Sequence, residues 1–163
     1  MKICIIGPSG VGKTTISQQL SCRLNITNHE FDDIYWDLSS EQYIKNSQDN
    51  INHRIQEIIQ LDQWIMEGAY DQRLLPFFQE STTILRIKIP YWLCAFRLII
   101  RFLDAKITHK KPIETWKDTV KLLKFSKTFD RRLDIFFQHH PELSHKMVIV
   151  KDFDTCIQAI RSA

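Results

Sequence analysis

Apolar positions along the chain change period several times, and each change predicts an element. Lys2–Ile6 is a short apolar run of the buried-strand kind, whereas Lys13–Leu24 places Ile16, Leu20 and Leu24 at helical spacing. The intervening glycines make the order strand, loop, helix. Residues 28–31 read as a second strand, and Ser40 is expected to open a helix to about residue 61, with Ile44, Ile51, Ile55, Ile58 and Ile59 on its apolar side. Trp64, Ile65 and Met66 form a third strand that stops at Glu67-Gly68. Residues 82–89 alternate with β-branched positions and end at Pro90, giving a fourth strand. Residues 91–104 then read as a helix packing through Leu93, Phe96, Ile100 and Leu103. Lys110, Lys111 and Pro112 mark a break before a second, basic helix system running to about His139. Met147–Val150 is a fifth strand and residues 152–161 a closing helix. Strands alternating with helices predict an α/β class with a parallel five-stranded sheet covered on both faces.

Length and composition narrow this picture. A chain of 163 residues buries one sizeable core and is short for two, so residues 1–163 are expected to form a single domain. With 44% hydrophobic and 25% charged residues the chain is of the globular kind. The first glycine, at position 7, leaves little room for a leader, and the apolar stretch 91–103 is broken by Arg97 and Arg101. That stretch is also shorter than the roughly 20 residues a span needs, so no membrane partner is expected. Cysteines 4, 22, 94 and 156 form no CxxC pair and read as reduced, buried apolar side chains, in keeping with a cytoplasmic setting. The six histidines show no metal-binding spacing and read as surface groups.

The net charge of +3 is unevenly placed. Between Arg97 and Arg132 eleven Lys or Arg face four acids, leaving 11 basic and 15 acidic residues elsewhere. One basic segment in an otherwise acidic chain predicts contact with a polyanion, either phosphates or nucleic acid.

The sharpest chemical signal is Gly7-Pro8-Ser9-Gly10-Val11-Gly12-Lys13-Thr14, which meets Gly-x4-Gly-Lys-Ser/Thr in full between a strand and a helix. Glycines let successive N–H groups turn inward and form an anion nest at the positive end of the helix. Lys13 is expected to neutralise β and γ phosphates, and the Thr14 hydroxyl to ligate Mg²⁺, with Thr15 following in the first helical turn. A nucleoside triphosphate bound with Mg²⁺ is therefore the expected ligand.

Other candidates cluster at expected strand ends, where ligands bind in open α/β sheets. Asp32, at the end of the second strand, is placed to orient or deprotonate an acceptor, with Tyr35 and Trp36 offering flat apolar faces. Glu67 ends the third strand beside the phosphate loop, where an acid holds Mg²⁺ through water. Gly68 permits close approach of a ligand, and Arg73 can pair with an acceptor phosphate or carboxylate. Arg97 and Arg101, four apart on a helix, make a phosphate clamp. Lys117, Lys121, Lys124, Lys127 and Arg131 form a stripe that ends at the pair Arg131-Arg132.

Together the phosphate loop, Phe31-Asp32-x-Ile34-Tyr35-Trp36, Trp64-Ile65-x-Glu67-Gly68-x-Tyr70-x-x-Arg73 and Pro90-x-Trp92-Leu93-Cys94-x-x-Arg97-x-x-x-Arg101 resemble the adenylate-kinase-like P-loop proteins, in particular the subgroup labelled DNA topology modulation proteins. The resemblance implies a three-layer P-loop NTPase fold with a helical lid over residues 105–132. It also implies that Arg97 and Arg101 correspond to the family's arginine pair, and Arg131 and Arg132 to its lid arginines. Glu67 stands where relatives usually carry Asp, and Ala69 where this subgroup tends to carry Asn. The expected activity is transfer of the γ-phosphoryl of ATP to a small acceptor: a nucleoside, nucleotide or metabolite. The rival expectation is a nucleotide-dependent DNA-binding regulator that uses the basic segment 97–132.

Overall fold

The computed structural model describes residues 1–37, 44–108 and 115–162. In chain order its elements are β1 (Lys2–Ile6), α1 (Lys13–Leu24), β2 (Asn28–Glu30), α2 (Phe31–Tyr35), β3 (Trp36–Asp37), β4 (Ile44–Lys45), α3 (Gln48–Ile59) and β5 (Trp64–Gly68). A 3-10 turn (Gln72–Leu74) leads into α4 (Leu75–Glu80), β6 (Thr83–Ile87), α5 (Tyr91–Thr108) and α6 (Trp116–His139). A second 3-10 turn (Pro141–Lys146), β7 (Met147–Val150) and α7 (Phe153–Ser162) complete the described chain.

β1 sits at the centre because it has no polar face: Ile3, Cys4, Ile5 and Ile6 are all fully buried. Successive strand side chains point to opposite faces, so Cys4 and Ile6 enter one core while Ile3 and Ile5 enter the other. Burial of each isoleucine contributes roughly 1.5–3 kcal/mol. β5 and β6 flank β1, β2 pairs with β5 and β7 with β6, giving the parallel order β2-β5-β1-β6-β7. On one face Trp64, Met66 and Ile84 pack against Ile51 and Ile55 of α3, Phe77 of α4 and Phe129 and Leu133 of α6. On the other, Ile65 and Leu85 meet Ile16 and Leu20 of α1, Cys94 of α5 and Cys156 of α7. The result is the expected helix–sheet–helix stack with five parallel strands.

The elements depart from expectation where a cap or a distant contact overrides the local pattern. Phe31 opens α2 instead of closing β2; it is 1% exposed, with its ring 5.6 Å from Tyr70 and 6.3 Å from Phe77. The third helix begins at Gln48, where Ser47 Oγ caps it by accepting from Asn50 N at 3.3 Å. Ile44 lies outside that helix, 53% exposed and paired in the short antiparallel β3–β4 ladder. Ser40 lies outside the described residues. α5 runs on to Thr108, and its Phe96, Ile100 and Leu103 face outward, the reverse of the packing role expected of them. Cys4, Cys94 and Cys156 are buried as expected, but Cys22 is exposed on α1. Burial pushes the Cys156 thiol up to about 12, so it stays protonated. His29 is half-buried in β2 instead of lying on the surface.

α6 is tied to the sheet by a buried cation. Arg86 of β6 is 3% exposed and donates to Asp134 Oδ1 at 2.5 Å and Asp130 Oδ1 at 2.9 Å, one helical turn apart on α6. Burial works against its charge, yet the two carboxylates more than offset this and raise its pKa.

Candidate functional site

The site grows out of the turn between β1 and α1. To leave a buried strand and enter a helix so quickly, the backbone turns left-handed at Gly10 (φ 81°) and Gly12 (φ 101°). A Cβ on Gly10 would also stand 2.7 Å from the Cys94 carbonyl oxygen. Gly12 caps α1 without a side-chain acceptor, and the first turn carries no acid. The helix's leading N–H groups and positive end are thus open to an anion.

Neighbouring elements brace this loop through its carbonyls. Lys13 Nζ donates to the Pro8 oxygen at 3.2 Å, Arg97 Nη1 of α5 to the Val11 oxygen at 2.9 Å, and Ser126 Oγ of α6 to the Ser9 oxygen at 3.3 Å. Gly7 and Pro8 are buried beneath the loop, while Ser9, Gly10, Gly12, Lys13, Thr14 and Thr15 line a cleft of about 320 Å³.

The opposite wall comes from the carboxyl ends of β2 and β5. Glu67 is 4% exposed and accepts from Thr14 Oγ1 at 2.5 Å. Glu30 is its register partner on β2, so the two carboxylates stand side by side. Asp32 lies in the first turn of α2 and accepts from the Tyr70 hydroxyl at 2.9 Å. Arg97 and Arg101 reach the same cleft from α5, one turn apart. Gly68 lines it too, but a Cβ there would meet Leu74 at 3.0 Å and Phe31 at 3.2 Å, so packing of the wall already accounts for the glycine.

Charges oppose one another across the cleft: Lys13, Arg97 and Arg101 against Glu30, Asp32 and Glu67. Burial lowers the Lys13 pKa, while Glu67 and Asp32 pull it back up. Burial likewise raises Glu67, with Lys13 and the Thr14 hydrogen bond opposing and Asp32 and Asp33 adding to the rise. Glu30 is raised by burial first and then by Glu67, Asp33 and Asp32. Burial, followed by the Asp32 charge, pushes the Tyr70 hydroxyl above its ordinary 10, so Tyr70 remains a donor to Asp32 near neutrality.

The remaining sequence candidates fall around the cleft. Tyr35, Trp36 and Arg73 form a shelf next to it: Tyr35 stands 4.7 Å from Trp36 and 6.0 Å from Tyr70 between ring centroids, and the Arg73 guanidinium lies 4.1 Å above Tyr35 and 4.9 Å above Tyr70. Arg131 is exposed on α6; Arg132 is held by Asp71 at 3.0 Å and lies 4.8 Å over Phe125. Neither arginine lines the cleft in this conformation. Lys117, Lys121, Lys124 and Lys127 are exposed, with Lys121 paired to Asp118. Glu30 escaped the sequence reading, although its place two residues before Asp32 and opposite Glu67 is a signal that aligning the two strand ends would have exposed.

The donor set fits a magnesium–phosphate ligand. A magnesium ion takes hard oxygen donors and keeps phosphate oxygens and water in its shell, and this wall offers the Thr14 hydroxyl and the Glu67 carboxylate in direct contact. Thr14 and Glu67 would hold it, and Glu30 stands beside them.

Comparison with known proteins bears on the fold. A family model described as an AAA domain matches residues 3–73, from β1 through Arg73. Among curated proteins no sequence matches the chain. Among solved structures, shikimate kinase from Bacteroides thetaiotaomicron is similar over 99% of this chain and 95% of its own, at 14% identity and a TM-score of 0.56. Shikimate kinase from Acinetobacter baumannii, in complex with shikimate, is similar over 99% of this chain and 93% of its own, at 16% identity and a TM-score of 0.58. A gluconokinase from Sinorhizobium meliloti 1021 follows at 12% identity, 97% and 87% coverage and a TM-score of 0.56. The chain has the three-layer P-loop NTPase fold. No helix among the described residues is long and apolar enough to cross a membrane.

Proposed function

We propose that the chain is a phosphotransferase that moves the γ-phosphoryl group of ATP, bound with Mg²⁺, to an oxygen of a small acceptor lodged between Asp32, Tyr70 and Arg73. The observation that carries this reading is the placement of Asp32 in the same cleft as Lys13, Arg97 and Arg101, with its carboxylate oriented by Tyr70. A phosphate loop alone fits any nucleoside triphosphatase; an aligned carboxylate facing it is what an acceptor hydroxyl needs. The fold shared with the two shikimate kinases and the gluconokinase supports a small acceptor over a nucleic acid.

In this mechanism the loop N–H groups and Lys13 hold the β and γ phosphates, and Arg97 and Arg101 stabilise charge on the moving group. Mg²⁺, held by Thr14 and Glu67, would neutralise phosphate charge. Asp32 orients the acceptor O–H and accepts its proton as the oxygen bonds to γ phosphorus. The bond from γ phosphorus to the β–γ bridging oxygen breaks, and ADP leaves. Arg73 and the Tyr35–Tyr70 shelf present a cation over flat apolar faces, suited to a ring-sized acceptor with an anionic substituent. Arg131 and Arg132 would reach the moving phosphoryl group only by side-chain rearrangement on α6, which for Arg132 means releasing Asp71.

A coupled assay of ADP release tests the reading. Adding hydroxylated ring acids, sugar acids, nucleosides and nucleotides in turn is expected to raise ADP release at least tenfold above the water background for one class, and Asp32→Asn to abolish that increment. A panel that leaves release at background would refute it.

A further inference from the structure

Helix α5 has two apolar faces, and only one meets the core. Cys94, Leu98 and Phe102 are buried, and Arg97 and Arg101 turn into the cleft. Trp92 (69% exposed), Phe96 (59%), Ile99 (37%), Ile100 (41%), Leu103 (47%) and Ile107 (77%) face water. At 3.6 residues per turn these six positions fall within a stripe about 100° wide, which runs for roughly 22 Å of the 18-residue helix. Scaled by exposure, they leave on the order of 600 Å² of apolar surface in water, as large as the biggest patch on an ordinary monomer. That is most of the roughly 800 Å² each partner brings to a stable interface.

The spacing of the stripe points to what covers it. Reading inward from one end gives positions 92, 96 and 99; reading inward from the other gives 107, 103 and 100. The two series are mirror images about the midpoint between Ile99 and Ile100. We infer that α5 packs antiparallel against α5 of a second copy of this chain, across a two-fold axis through that midpoint. Trp92 then meets the partner's Ile107, Phe96 the partner's Leu103, and Ile99 the partner's Ile100. An isologous interface requires such self-complementarity, because each contact must occur twice. Trp92 and Phe96 each face a smaller aliphatic side chain, and Ile99 meets Ile100 beside the axis, an arrangement that two closely packed helices accommodate. A foreign partner or a lipid surface imposes no reversal symmetry. On α5 itself, with Arg97 and Arg101 in the cleft, the stripe is bordered by Lys106 together with the acid Asp104.

Light scattering on the eluting full-length protein tests this, and its outcome is independent of the phosphotransferase reading. The wild type is expected at about twice the 19.4 kDa chain mass. Phe96→Glu and Leu103→Lys are each expected to run at the single-chain mass, with far-UV circular dichroism and Mg-ATP affinity within twofold of wild type. Mixed in equal amounts, the two variants are expected to recover the doubled mass, because the new Glu faces the partner's new Lys while the second Phe96–Leu103 contact stays intact. A monomeric wild type, variants that remain dimeric, or a mixture that stays monomeric would each overturn the inference. So would a monomer that sediments with anionic vesicles.

Discussion

Replacing Glu67 by glutamine keeps the shape of a side chain only 4% exposed and removes one negative charge beside Thr14. In the free protein, burial raises the Glu67 pKa above its ordinary 4.5, and Asp32 and Asp33 reinforce the rise against Lys13 and the Thr14 bond. A group raised on folding contributes its full stability below pH 4.5 and loses it as pH climbs through the folded value. At neutral pH the ionised carboxylate is therefore a net cost to the fold, and glutamine avoids that cost. We expect a gain of about 0.5–2 kcal/mol near neutrality, of the size that relief of a strained functional site gives. For a chain of this length each kcal/mol moves Tm by about 2–4 °C, so the rise is a few degrees and vanishes at acid pH. Binding moves the other way. In the proposed magnesium site, loss of this carboxylate is expected to cost about 10–100-fold in affinity, or about 1.4–2.8 kcal/mol. Thermal melts from acid to neutral pH, with calorimetric titration of ATP with and without Mg²⁺, read both effects. A lower Tm at neutral pH, or an unchanged magnesium-dependent affinity, would refute the reasoning.

Three further outcomes follow from the same geometry. Gly10→Ala forces a Cβ to within 2.7 Å of the Cys94 carbonyl in left-handed backbone, so it should cost about 1–3 kcal/mol in stability and remove detectable Mg-ATP binding by calorimetry. The double change Asp130→Ala, Asp134→Ala leaves Arg86 buried without its anions and should cost about 3–5 kcal/mol. Arg86→Leu should cost less, since the freed acids are half-exposed; denaturant melts giving the reverse order would contradict the buried-cation account. Tyr70→Phe removes the donor that orients Asp32 and should lower kcat about tenfold or more with little change in Mg-ATP affinity, read by steady-state kinetics and calorimetry.

What was legible in the sequence was local. The phosphate loop was readable because Gly7, Gly12, Lys13 and Thr14 at fixed spacing dictate a backbone nest, and Glu67 because a buried run that halts on an acid marks a strand end. Helical period alone could not say which side of α5 meets the core: Phe96, Ile100 and Leu103 keep the spacing of a packed face yet lie in water, while Cys94, Leu98 and Phe102 do the packing. The helix beginning at Gln48 was misjudged because Ile44 continues its apolar period, and only the Ser47 cap cuts it off. Glu30 and the Tyr70–Asp32 bond depend on the register of β2 against β5 and on contacts 38 residues apart, which no single-segment pattern encodes. The Arg132–Asp71 pair is likewise a tertiary fact, joining residues 61 apart.

Transfer to an acceptor is measured most directly by following the γ-phosphoryl group itself. ATP labelled at the γ position, incubated with Mg²⁺, the protein and a mixed pool of small acceptors, is expected to place label in an organic phosphate. The Lys13→Ala variant should leave the label in ATP. Label found only as inorganic phosphate, at the same rate with and without acceptors, would contradict the account.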